Sequence, residues 1–133
     1  MKPMRMIALL LLAAFALGAC GDYTIKFSPD PPAVKPGEKG KISVNLKARG
    51  KWHINEDSIV MIKFEPPEGV VMEKSELTEK DRGPENTFTA KYTVNEKTEP
   101  GNKTVKAEVF FMICSGDLCR RIIEQHEVNL RIK

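Results

Sequence analysis

The chain has 133 residues, with 21 Lys+Arg against 18 Asp+Glu; 29% of its residues are charged and 41% hydrophobic. That length supports one modest core and excludes a large cofactor-binding fold or a multi-pass transporter. With Lys2 and Arg5 set aside in a leader, 19 basic residues face 18 acidic ones, so the clustered basic excess that nucleic-acid binding needs is missing.

Residues 1–19 read as a secretory leader. Lys2 and Arg5 supply a short positive region, Met6 to Leu17 an apolar stretch of secretory length, and Gly18 and Ala19 the small residues that end it. Cys20 follows. The string Leu17-Gly18-Ala19-Cys20 resembles the lipobox of bacterial lipoproteins. That resemblance implies cleavage before Cys20, acylation of Cys20, and a membrane anchor facing the periplasm. Gly21 does not tell which membrane carries it. The alternative is an ordinary cleaved signal with a chance cysteine. Both readings export the chain, so its thiols meet an oxidising compartment. No apolar run of transmembrane length follows the leader.

Tyr23 to Phe27 is a short strand, and Pro29, Pro31, Pro32 and Pro36 after it forbid a helix. Lys41 to Lys47 alternates strictly, the signature of a half-buried strand. Ser58 to Phe64 is apolar and β-branched, and Pro66-Pro67-Glu68-Gly69 closes it with turn chemistry. Val70 to Met72 is a brief strand. Glu73 to Asn86 is charged and reads as a loop. Phe88, Ala90, Tyr92 and Val94 alternate with polar residues, and Glu99 to Asn102 is a turn. Lys103 to Ile113 is the longest strand, and Arg121 to Ile132 returns beside it. No segment sustains a 3.6-residue period. The pattern predicts an all-β, immunoglobulin-like β-sandwich almost without helix.

With Cys20 assigned to the lipid, Cys114 and Cys119 remain, and an even remainder in an exported domain usually pairs. Ser115-Gly116-Asp117 between them is turn chemistry, so the two flank a hairpin tip. Two readings stay open. The pair is a structural staple, whose short loop adds about 2 kcal/mol on the entropic model. Or it is redox-active, since thiolate attack is what drives disulfide exchange. Arg120 and Arg121 favour a thiolate and Asp117 opposes it; both arginines are equally well solvated strand-end charges. Trp52 reads as a core residue, His53 as a surface histidine or a proton handler near the cysteines, and His126 as exposed. Met112, the two cysteines and the two histidines lack metal-ligand spacing, so neither metal nor cofactor is expected.

Gly101 to Val105, Phe110 to Cys114 with Cys119, Lys51-Trp52-His53-Ile54-Asn55, and Pro67-Glu68-Gly69-Val70 together resemble the amino-terminal domain of DsbD-type thiol:disulfide interchange proteins. The resemblance assigns residues 1–19 to the signal, 20–39 to the lipidated amino terminus with its first strand and proline-rich segment, and 40–133 to the domain. It implies that Cys119 forms the mixed disulfide and Cys114 resolves it. It further implies a cap loop within Glu73–Gly83, with Leu77 as its one large apolar residue. The partners it implies are a membrane-embedded thiol-disulfide reductase acting in trans and periplasmic thioredoxin-like proteins. The competing expectation is a non-catalytic β-sandwich lipoprotein that binds a partner protein and carries a structural disulfide.

Overall fold

Alternating apolar and polar residues become two faces once strands pair, and here two such sheets bury their apolar faces against each other. The structure is a computed structural model that describes residues 21–133. The leader and Cys20 lie outside the described residues.

Nine strands follow in chain order: β1 (Tyr23–Asp30), β2 (Ala33–Val34), β3 (Lys39–Ala48), β4 (Met61–Glu65), β5 (Val70–Met72), β6 (Glu76–Thr78), β7 (Thr87–Val94), β8 (Gly101–Ser115) and β9 (Leu118–Ile132). One sheet has the order β1-β3-β7-β5, the other β2-β9-β8-β4-β6. The chain therefore leaves the first sheet after Asp30, passes through Pro31 and Pro32, and joins the second as β2, parallel to the end of β9. The all-β immunoglobulin-like sandwich read from the sequence is the observed fold.

Inward positions fill the space between the sheets. Ile42, Val44 and Leu46 of β3 and Phe88, Ala90, Tyr92 and Val94 of β7 face Val105, Ala107, Val109, Phe111 and Ile113 of β8. Their outward neighbours are Lys, Ser, Thr and Asn on β3 and β7. Tyr92 lies across Gly40, where any Cβ would collide with the phenol ring. Among the described residues its buried hydroxyl has no hydrogen-bond partner. Leaving a hydroxyl unsatisfied in the core costs more than never having it. Tyr92→Phe is therefore expected to raise the unfolding free energy by about 1 kcal/mol, measured by urea titration.

The segment Glu73–Asn86 differs from the expected loop. It contains β6, the edge strand beside β4, and single-turn 3-10 helices at Glu79–Asp81 and Pro84–Asn86. Thr78 caps the first, accepting from the backbone of Lys80 while Asp81 accepts from the backbone of Thr78. Leu77 is opposite Ile62 and only 2% exposed. It is a core residue of an edge strand, because one leucine among charged neighbours gains most by facing the apolar interior. Leu77, expected as the apolar residue of a cap loop, is placed here in the core beside Ile62.

Candidate functional site: the bridged β8–β9 tip

The longest hairpin ends in the tightest turn. Ser115 pairs with Leu118 around Gly116 and Asp117. Gly116 has φ +60°, which suits glycine at the first central position of a primed two-residue turn, whose twist matches the strands. Cys114 and Cys119 are the next pair. Antiparallel ladders alternate hydrogen-bonded with closer, non-bonded pairs, and the pair behind a two-residue turn's closing pair is of the closer kind. The two Cα atoms are 4.1 Å apart and the sulfurs are bonded.

Because the Cys114 backbone does not bond to β9, it is available to the other side. There it meets His53. The Cys114 N–H donates to the His53 carbonyl at 2.8 Å, and the His53 N–H donates to the Cys114 carbonyl at 2.9 Å. The Asn55 side-chain amide donates to Cys114 Sγ at 3.6 Å. Cys114 is consequently only 3% exposed, although its side chain lies on the outer face of the sheet. Cys119, across the ladder on β9, where that strand has no neighbour on its far side among the described residues, is exposed.

The structure brings His53 to the pair through its backbone. Asn55 closes the Lys51–Asn55 segment singled out in the sequence, which gave it no role. Trp52 is half-buried against the core, with the Lys51 ammonium 5.6 Å and the Arg120 guanidinium 5.3 Å from its ring centre. Arg120 Nη1 also meets Asp22 Oδ2 at 2.7 Å. Both ends of that ion pair are about half exposed, so it contributes between 0 and about 1 kcal/mol.

His126 departs from its expected exposed place. It belongs to a cluster that joins β1 to β9: Tyr23 donates to the Glu124 carboxylate, His126 Nε2 is 2.8 Å from Glu124 Oε1, and Phe27 packs on the imidazole at 5.2 Å. The alternation of β9 turns His126 toward the interior side, where β1 covers it. The hydrogen bond to Glu124 is the main reason the Tyr23 phenol is pushed up to about 12, with burial adding to it.

One further feature of β9 follows from the same alternation. Odd-numbered residues from Cys119 to Asn129 turn their N–H and C=O groups away from β8. Only the end of the strand uses that edge, where Lys133 donates to Val34 beside β2. Among the described residues the edge from Leu118 to Leu130 has no strand partner. Ile123, 60% exposed, stands at its middle.

No family model matches this chain, and no curated protein matches it. Solved structures do. A conjugative transposon lipoprotein from Bacteroides eggerthii is similar at 15% identity and a TM-score of 0.45, over 80% of this chain and 97% of that one. A lipoprotein from Bacteroides thetaiotaomicron is similar at 23% identity and a TM-score of 0.41, over 80% and 79%. Murine CRIg is similar at 15% identity and a TM-score of 0.45, over 85% and 99%. Two of the three are described as lipoproteins. The resemblance to the DsbD-type amino-terminal domain is corrected by these findings. The similar structures are lipoproteins and other β-sandwiches, and no family model joins the chain to that domain. The segments that carried the resemblance have fold roles instead. Lys51–Asn55 holds the bridge to Cys114, Pro67–Val70 turns into β5, and the remainder is the β8–β9 hairpin.

Proposed function

We propose that this chain is an exported, lipid-anchored, non-catalytic β-sandwich module that binds a partner protein, and that Cys114–Cys119 is a staple for the strand that does the binding. The observation that carries this reading is the open edge of β9. An unpaired row of N–H and C=O groups is a template for another strand, and natural proteins ordinarily shield such edges. Here the edge ends at a disulfide that fixes its register, and it displays Ile123. The leader and Leu17-Gly18-Ala19-Cys20 support export and acylation.

The test uses a proline. Gln125 points its backbone N–H at the open edge, so Gln125→Pro removes no backbone ladder bond to β8 and loses only the exposed side-chain bond in which the Gln125 amide donates to Glu108 at 2.9 Å. With a photo-crosslinking residue at Ile123 in the full chain, one discrete protein adduct is expected in cells, and Gln125→Pro should remove it with the fold retained. An adduct insensitive to Gln125→Pro, or none at all, contradicts strand addition.

The exposure of Cys119 beside a buried Cys114 favours a second reading, thiol exchange. A partner dithiol would attack Cys119 Sγ and expel Cys114 as thiolate. It would leave oxidised to its disulfide, with the pair here reduced to two thiols.

A further inference from the structure

The sequence separation between Cys20 and Asp22 restricts what can lie next to the anchor. Two residues of fully extended chain span at most about 7 Å. Asp22 is itself pinned to the end of the sandwich: its carbonyl accepts from the Arg49 N–H at 2.8 Å, and its carboxylate holds Arg120. Trp52 joins the same end, since its N–H donates to the Arg49 carbonyl at 3.1 Å and Arg120 lies over its ring. Leu118, 62% exposed, stands two residues before Arg120 at the hairpin tip. Lys47 and Lys51 are exposed on either side of Arg49. The acids near this end are Asp22, already taken by Arg120, Glu124 beside them, bonded to Tyr23, Asp117 at the turn, Glu85 beside Lys47, and the exposed Glu56 and Asp57 that follow Asn55 in the chain. Among the described residues Lys47, Arg49 and Lys51 make no ion pair.

We infer that this end of the sandwich is a second membrane contact, which docks on anionic phospholipid headgroups of the bilayer that holds the acylated Cys20. The inference rests on the lipid-anchor reading above. Two features argue for the membrane as occupant: continuity with the anchor, and the residue types. Lys and Arg attract anionic headgroups, tryptophan prefers the interface between water and hydrocarbon, and an exposed leucine at a rigid tip has apolar surface to bury.

Trp52 is the one tryptophan of the sequence, so its fluorescence reports this contact alone. The full chain, expressed with its own leader, is mixed with vesicles of phosphatidylcholine or of phosphatidylcholine with phosphatidylglycerol. Trp52 emission is expected to shift blue, and its quenching by acrylamide to fall, in the anionic vesicles only. Salt of about 0.5 M should reverse both changes, because it shortens screening to a few Å. Arg49→Glu with Lys51→Glu should weaken protection on the order of tenfold, and Leu118→Asp should weaken it too, both with unchanged circular dichroism. Sedimentation with both vesicle types and identical Trp52 quenching in each overturns the inference while leaving the anchor in place. Failure to sediment with neutral vesicles, unchanged by Cys20→Ser, removes the anchor reading instead. Trp52 protection by anionic vesicles would then still support the contact, and its absence would overturn it. Protection by a soluble anionic polysaccharide, with none by vesicles, also overturns it.

Discussion

Replacing both Cys114 and Cys119 by serine lowers the thermal midpoint by roughly 8 °C and leaves the fold intact. The bridge closes a short loop, with a sequence separation of 5, and on the chain-entropy model such a closure stabilises by about 2 kcal/mol. For a domain of this size about 1 kcal/mol moves the midpoint by roughly 4 °C. The fold survives because the register of β8 with β9 runs the whole length of both strands and His53 holds Cys114 from the other side. Scanning calorimetry of the wild-type and double-serine proteins measures the difference. Crosslinking at Ile123 should weaken in parallel, since a looser tip sets the edge less firmly. A staple loses stability first, whereas a reaction centre would lose chemistry with its stability unchanged.

Phe111→Ala is expected to cost about 3–5 kcal/mol. Phe111 is fully buried, opposite Ile122 in the ladder, and meets the Tyr23 ring edge-on at 5.7 Å and 83°. Its removal loses the transfer free energy of the ring and leaves a cavity beneath both β1 and β9. The ring packs on Tyr23 of β1 and lies opposite Ile122 of β9, so its loss loosens both strands. Urea unfolding should show a lower midpoint with an unchanged slope. Phe111→Leu keeps most of the volume and should cost clearly less.

Much of this architecture was legible because strand alternation is a local property. Ile42-Val44-Leu46, Phe88-Ala90-Tyr92-Val94 and the odd residues of β8 announce an inward face without knowledge of their partners. The turn at Gly116-Asp117 and the pairing of the last two cysteines were legible for the same reason. What was missed depends on distant contacts or on very short elements. β6 has three residues, with Leu77 as its one apolar side chain, and is too brief for a period to appear. A local signal did exist there: Thr78-Glu79-Lys80-Asp81 is a capping pattern. The unequal exposure of the two sulfurs could not be read, because it depends on the parity of the ladder and on a bridge to His53, 61 positions away from Cys114. The family resemblance failed through a related limit. Short runs of alternating residues with a Gly or Pro turn are what any hairpin of this kind requires, so they identify a fold more readily than a lineage.

The central claim is that Cys114–Cys119 holds the binding strand and does not turn over. Its reduction potential, measured by equilibrating the domain in defined thiol buffers, tests that most directly. The long ladder keeps the two reduced thiols side by side, so the bridge should re-form readily and its potential should lie below about −300 mV. A value at or above about −270 mV, in the range of proteins that exchange disulfides for a living, would contradict the staple and restore chemistry to Cys119.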